Sequence, residues 1–113
     1  MEKTLIVAAL SAIAQESRLN VFRILVQAGP AGMAAGKISL ATGIAPSSLS
    51  FHLKELAHAQ MVIAKQQGRF VFYSANFATM NAVIAYLTEN CCGGNPCSPF
   101  AVCVTSCESQ ATK

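Results

Sequence analysis

The chain of 113 residues has no apolar run that approaches the roughly 18 residues needed to span a bilayer. It also has no general-base pairing, Gly-rich phosphate loop or nucleophile motif at usable spacing, so no enzyme class is predicted. No cysteine occurs before position 91, and the odd total of five argues against a secreted disulfide framework. Charged residues make up only 12% of the chain, with a net charge of +3. This balance permits nucleic-acid binding, but the pI of the chain lies below the value of about 9 that marks an evident electrostatic footprint.

Apolar residues are more abundant than one small core requires. They make up 53% of the sequence, and the mean hydropathy is +0.45. A chain of this length forms one domain with a modest core. Buried helices together with a dimer face account for the excess, so a homodimer and no membrane contact are expected.

The first residues carry two competing patterns. A secretory signal peptide with its cleavage site typically has a charge such as Lys3, a mainly apolar stretch such as residues 5–13 and small residues such as Ala12 and Ala14. Glu2, however, offsets the positive charge, and the apolar residues keep the spacing of an amphipathic helix. We therefore expect a first helix over residues 1–14, with the signal peptide as the alternative.

Helical spacing also predicts the next two helices. The second follows a joint at residues 15–17 and ends in a segment with Gly and Pro at residues 28–32. It carries Leu19, Phe22 and Val26 on one stripe, with Val21 and Leu25 beside it. The third covers residues 34–42, with Ile38 and Ala41 facing inward, and is closed by a glycine. The short Gly-containing link at residues 43–46 is typical of the turn in a helix-turn-helix.

A fourth helix at residues 46–58 has one apolar and one polar face. Leu49, Leu53 and Leu56 are spaced four and three residues apart, so they share a stripe that faces a core. The opposite arc has one lysine and no acid at its centre, which suits the floor of a DNA groove. That arc is centred on Ser47, Phe51, Lys54 and His58. An ordinary amphipathic surface helix is the alternative.

A β-hairpin is predicted to follow the fourth helix. Residues 61–65 and 69–75 are rich in Val, Ile, Phe and Tyr and are joined by a turn at residues 66–68. Lys65 and Arg69 flank the tip of the hairpin, where they are expected to contact phosphate. Two solvated turn charges are the alternative.

A fifth helix is predicted at residues 77–87, and the composition changes beyond residue 90. The fifth and first helices are both broadly apolar, so we expect them to be buried together in the homodimer. Residues 91–99 contain two Gly and two Pro, which excludes a regular helix. All five cysteines lie in the last 23 residues: Cys91, Cys92, Cys97, Cys103 and Cys107.

Three sequence elements occur together in the right order to indicate a family. They are Ser-x-His-Leu at residues 50–53, Leu-x-x-Ala at residues 56–59 and Gly-Arg-x-x-x-Tyr at residues 68–73. With the order of helices and hairpin, the chain resembles the ArsR/SmtB family of metal-responsive repressors over about residues 3–92. The resemblance implies a mainly α, winged helix-turn-helix fold of about five helices with a small β-hairpin wing. It further implies a cytoplasmic homodimer that leaves a palindromic double-stranded operator when an inducer binds, and it disfavours the signal peptide.

The resemblance also implies which residues contact DNA. The groove residues of the fourth helix would be Ser47, Ser48, Ser50, Phe51 and Lys54, and the wing contacts would be Lys65 and Arg69. Phe51 could contact a thymine methyl group. His52 matches the family histidine but lies on the flank of the buried face, so a structural hydrogen-bonding role competes with direct base contact. Gln60 stands where the family usually has Gly, which allows a different turn into the wing.

Departures from the family pattern bear on the inducer. Residues 36–41 lack the Cys pair that many arsenic-sensing relatives carry on the third helix. Residues 76–87 contain no His, Asp or Glu, which are the ligands of zinc-sensing relatives. Cys91, Cys92 and Cys97 resemble the subgroup whose arsenite site lies at the end of the fifth helix, although the usual third cysteine falls slightly later than Cys97. Cys103 and Cys107 are expected to be auxiliary or incidental.

The chemistry of the cysteines agrees with this resemblance. Trivalent arsenic and antimony are soft centres that favour three thiolates, so arsenite is the expected inducer, with antimonite or an organoarsenical as variants. Zinc prefers a closed set of four ligands, which Cys103 could complete. Zinc or cadmium sensing, thiol oxidation and a thiol metal-sequestering protein remain alternatives. The predicted organisation is a DNA-binding and dimerisation domain at residues 1–90 and a Cys-rich inducer-binding tail at residues 91–113, without an organic cofactor.

Overall fold

The computed structural model describes residues 2–94. In chain order the elements are α1 (Lys3–Ile13), α2 (Glu16–Ala28), β1 (Met33–Ala34), α3 (Ala35–Thr42), α4 (Pro46–His58), β2 (Val62–Gln67), β3 (Phe70–Ala75), α5 (Phe77–Leu87) and a 3₁₀ helix (Cys91–Gly94). The five predicted helices and the wing are confirmed. Within residues 2–94 no single helix has the length and apolar character to cross a bilayer, and α1 and α2 meet that test only as a pair bent by 101°.

The chain divides into two compact units, Met1–Val83 and Ile84–Lys113. The first unit is organised around one hydrophobic core to which α1 to α5 and the sheet all contribute. Burying each large apolar side chain stabilises the fold by about 1.5–3 kcal/mol, so this core is the main source of stability. The core residues are Ile6, Ala9, Ala12, Val21, Phe22, Leu25, Ile38, Leu49, Leu53, Leu56, Met61, Val62, Ala75 and Val83.

One residue of the predicted α2 stripe and one predicted inward position of α3 are exposed. Leu19 is 42% exposed, because the buried stripe of α2 runs through Val21, Phe22 and Leu25 instead. Ala41 is exposed, whereas Ile38 is fully buried and is the single buried residue of α3. In both helices two neighbouring arcs carry apolar residues, and the surrounding elements decide which arc is covered.

The sheet has three antiparallel strands in the order β1-β3-β2, and β1 was not predicted. Strand β1 pairs with β3, with Met33 opposite Tyr73 and Ala34 opposite Phe72. In the hairpin, Gln67 lies opposite Phe70, so the loop consists of Gly68 and Arg69 rather than residues 66–68. Gly68 has φ +65°, as the first central residue of a type II′ turn requires.

The second unit is described from Ile84 to Gly94. Thr88 extends the last turn of α5, because its amide and its hydroxyl donate to the Ile84 carbonyl at 3.0 and 2.9 Å. Asn90 follows with φ +58°, a left-handed conformation that Asn tolerates better than most residues. The amide of Cys91 then donates to the Thr88 carbonyl at 2.9 Å. The 3₁₀ helix therefore begins at Cys91, four residues after the end of α5.

Candidate nucleic-acid interface and cysteine segment

Helix α4 separates buried from exposed residues along its whole length. Leu49, Leu53 and Leu56 are at most 2% exposed, which confirms the predicted apolar stripe. The predicted groove residues are all exposed: Ser47, Ser48, Ser50, Phe51 and Lys54. The stripe therefore anchors α4 in the core while three hydroxyls, an aromatic ring and an ammonium group stand at the surface. Their contact with DNA stays a prediction.

Side-chain hydrogen bonds hold the turn between α3 and α4. Gly43 ends α3 in the left-handed conformation, with φ +77°, and its amide donates to the Ser39 carbonyl at 2.8 Å. The Ser39 hydroxyl donates to the Ile44 carbonyl at 2.6 Å. Thr42 Oγ1 donates to the Ile38 carbonyl at 2.8 Å and accepts from the Ile44 amide at 3.3 Å. The two hydroxyl groups thus satisfy the amide and the carbonyl of Ile44 in the turn, and they fix how α4 follows α3.

Arg18, near the start of α2, contacts two of the predicted DNA-site residues. Its Nε donates to His52 Nδ1 at 3.3 Å, and its guanidinium carbon lies 5.8 Å from the centre of the Phe51 ring. The rings of Phe51 and His52 meet edge to face, with centroids 5.9 Å apart. His52 is half-buried and so makes a structural hydrogen bond from the flank of α4. Sequence reasoning missed Arg18 because it lies 34 residues before His52.

The wing carries exposed cations at and near its tip. Lys65 lies on β2 opposite Phe72, and Arg69 is the second residue of the hairpin loop. Between residues 17 and 88 the sequence contains six Lys and Arg and a single acid, Glu55. The local net charge of +5 exceeds that of the whole chain, so the part of the protein that contains α4 and the wing is its most basic part.

The junction of α4 with the wing keeps a geometry that favours glycine. Gln60 has φ +64°, and its amide donates to the Ala57 carbonyl at 2.9 Å. The Met61 amide donates to the Leu56 carbonyl at 2.9 Å. This pair of bonds is a Schellman motif, in which the residue after the C-cap is left-handed. Gln60 thus adopts the left-handed conformation itself.

The predicted thiolate site falls only partly within the described residues. Cys91 is half-buried, and the backbone of Cys92 continues the 3₁₀ helix. Cys97, Cys103 and Cys107 lie outside the described residues. Among the side chains that the structure describes, no three from His, Cys, Asp or Glu come together to hold a metal ion. A three-thiolate site would need Cys97 or a later cysteine, so the ligand set stays a prediction.

Known proteins match both the sequence and the fold. A family described as a helix-turn-helix domain matches residues 13–63. The HTH-type transcriptional regulator YgaV of Escherichia coli K12 is 28% identical over 85 residues, which are 75% of this chain and 84% of that protein. This relative supports the expectation that the chain is not an enzyme.

Two solved structures extend the comparison to the winged-helix fold. HlyU from Vibrio cholerae is 29% identical with a TM-score of 0.64, over 81% of this chain and 99% of its own. The second is the homodimeric winged helix-turn-helix domain of Mb0332 from Mycobacterium bovis, a possible ArsR-family transcriptional regulator. It has a TM-score of 0.62 at 21% identity, over 84% of this chain and 88% of its own.

Proposed function

We propose that the chain is a winged helix-turn-helix transcriptional regulator of the ArsR family, and that it is a homodimeric repressor released from its operator by trivalent arsenic. The observation that carries the DNA-binding part is the exposed face of α4, which has no acid at its centre and is followed by a cationic wing. The inducer part rests on the cysteines at and after residue 91.

The chemistry of the α4 face fits the major groove of a DNA duplex. Serine hydroxyls both donate and accept hydrogen bonds, so Ser47, Ser48 and Ser50 can form hydrogen bonds to base edges or phosphates. Phe51 offers an apolar surface for a thymine methyl group, and Lys54 supplies charge. Lys65 and Arg69 on the wing would contact phosphate, which positions the protein without reading sequence.

Exposed apolar side chains support dimerisation through the first and last helices. On α1, Leu5 and Val7 are 42% and 54% exposed, although Ile6 beside them is buried. On α5, Leu87 is 60% exposed. A partner that covers such side chains gains the free energy of their burial. The Mb0332 domain is homodimeric, which supports a homodimer here, and a twofold dimer matches a palindromic operator.

Arsenite is the inducer that the cysteines favour. Cys91 and Cys92 are adjacent, and Gly93 and Gly94 allow the following chain to bring Cys97 back towards them. Three thiolates match the coordination of trivalent arsenic or antimony, whereas zinc would recruit a fourth ligand. An organoarsenical, which offers fewer coordination positions, would need only two of these thiolates.

Release requires the ion to bind the DNA-free form better than the DNA-bound form. The 3₁₀ helix with Cys91 follows α5, which is one of the proposed dimer helices. Thiolate coordination there would reshape the dimer face and change the spacing of the two α4 helices. Since operator half-sites are one helical turn apart, a small change in that spacing weakens binding.

A fluorescence anisotropy titration tests the proposal. A labelled operator, selected from random duplexes with the reduced protein, is first bound and then titrated with arsenite, antimonite, zinc, cadmium or peroxide in turn. We expect salt-dependent, sequence-specific binding and release by arsenite. Failure to select any specific duplex would refute the repressor. Release by zinc, cadmium or peroxide but not by arsenite would refute the inducer alone.

Serine substitutions test the thiolates separately from DNA binding. We expect Cys91→Ser and Cys92→Ser to leave operator affinity intact and to abolish release, because each removes a ligand without touching α4. Cys107→Ser is the matched control and should release normally. Cys97→Ser and Cys103→Ser then identify the third ligand. Normal release of the Cys92→Ser variant would contradict the proposed site.

A further inference from the structure

We propose that Arg18 is a positioning residue of the DNA interface, which holds Phe51 and His52 in one orientation on α4. The proposal rests on the DNA-binding function proposed for α4. Arg18 belongs to α2 and is half-buried, whereas Phe51 is 53% exposed. The residue that sets the orientation is thus more buried than the aromatic ring that would meet the DNA.

One guanidinium group joins three helices. Arg18 Nε donates to His52 Nδ1 on α4 at 3.3 Å, and Nη1 donates to the Ala12 carbonyl near the end of α1 at 3.4 Å. The backbone of Arg18 is held as well, because its amide donates to Gln15 Oε1 at 2.9 Å in the N-cap of α2. The planar fork of the guanidinium makes these bonds in fixed directions, which a lysine ammonium cannot reproduce.

The bond to His52 selects one form of the imidazole. Nδ1 accepts the hydrogen bond from Arg18 Nε–H, so Nδ1 carries no proton itself. The neutral ring must then carry its proton on Nε2, and Nε2–H is the donor that it can offer to another partner. Loss of the Arg18 bond would free the ring to adopt the other tautomer, in which that donor is missing.

Phe51 is held from two sides. The Arg18 guanidinium faces its ring at 5.8 Å, and the His52 ring meets it edge to face at 5.9 Å. An exposed aromatic side chain otherwise has rotamer freedom that it loses when DNA binds. Contacts that restrict the ring beforehand reduce this entropic cost, so Arg18 would increase the affinity for the operator through Phe51.

The test compares Arg18→Ala and Arg18→Lys with Arg23→Ala, which removes an exposed arginine from the same helix. Affinities for the operator and for a random duplex are measured over a range of salt concentrations. We expect both Arg18 variants to lose about tenfold in operator affinity, with the random duplex affected no more than by Arg23→Ala. The slope of log affinity against log salt should not change, because no phosphate contact is removed. In a chain that already carries Phe51→Ala, adding Arg18→Ala should reduce the operator affinity by a smaller factor than it does in the wild type.

Two outcomes on DNA overturn the role of Arg18. Wild-type affinity in Arg18→Lys would mean that charge alone matters. Equal losses on both duplexes with a slope reduced by about one would mean a direct phosphate contact. In the unsubstituted chain, ¹⁵N shifts of His52 should show the Nε2–H tautomer, and a dominant Nδ1–H tautomer would overturn the contact even if the Arg18 variants fail to fold. A wild-type chain without specific binding would instead refute the repressor and this role together.

Discussion

Gly32 lies directly against the backbone carbonyl of Tyr73, so closely that a Cβ at position 32 would overlap the carbonyl oxygen. Its φ of +75° is also one that side chains rarely adopt. The next residue, Met33, pairs with Tyr73 and starts β1. Glycine at this position therefore lets β1 join β3, and the wing becomes the outer part of a three-stranded sheet.

Gly32→Ala should lower the free energy of unfolding by about 2–4 kcal/mol, from the left-handed backbone and the overlap together. Gly43→Ala is the matched control, because Gly43 has a similar φ of +77°, lies in the left-handed region and has no atom within 4 Å of an added Cβ. The control substitution should lower the free energy of unfolding by only about 1 kcal/mol. Urea unfolding followed by circular dichroism measures both. Equal losses in the two variants would show that the contact with Tyr73 contributes nothing.

Gln60→Gly should raise the free energy of unfolding by about 0.5–1 kcal/mol. The left-handed backbone of Gln60 costs about 1–2 kcal/mol, a strain that glycine would relieve. The greater freedom of glycine in the unfolded chain cancels part of this gain in stability. Gln67→Gly is the control, since Gln67 is also exposed but lies in the extended strand β2, where glycine destabilises. The same urea titration measures the difference. Destabilisation by Gln60→Gly would contradict the strain.

Lys65→Ala and Arg69→Ala should weaken binding to the operator and to random duplex DNA by the same factor. Each would remove one phosphate contact, so the slope of log affinity against log salt should become shallower by about 0.9 per substitution. Lys3→Ala on α1 removes an exposed charge remote in sequence from the wing and serves as the control. An unchanged slope in both wing variants would leave these residues as solvated turn charges.

Val7→Glu should convert the proposed homodimer into a monomer. Val7 is 54% exposed on α1, and a carboxylate there would be buried without a partner in a dimer formed through the first and last helices. Leu40→Glu is the control, because Leu40 is 87% exposed on α3, outside that surface. Sedimentation velocity reports the mass of each variant. A Val7→Glu dimer as stable as the wild type would place the interface elsewhere.

Local patterns predicted much of the fold. The spacing of Leu49, Leu53 and Leu56 predicts both α4 and its buried face, because helical periodicity is a property of a few consecutive turns. The two residues of β1 carry no such pattern and form a strand only because β3 offers an edge. The hairpin loop was misplaced for a similar reason, since the pairing of Gln67 with Phe70 sets it.

Some residues of the candidate site were likewise predicted from the sequence, whereas Arg18 was found only in the structure. The exposed groove residues and the wing cations were predicted from spacing and resemblance, and the structure places them at the surface. Arg18 could not be found in this way, because no local pattern links a residue of α2 to the rings of Phe51 and His52. The cysteines are visible in the sequence alone, and the role of Cys91, Cys92 and Cys97 stays a prediction.

The sequence by itself determined the helices, the wing and the polar face of α4, since amphipathic spacing and turn residues act over fewer than a dozen positions. Tertiary structure alone decided which arc of α2 is buried, that β1 joins the sheet beside Gly32, and that Arg18 reaches His52. These features depend on pairs of residues far apart in the chain. Such pairs meet only when the core has formed and has selected one packing among several that the local patterns permit.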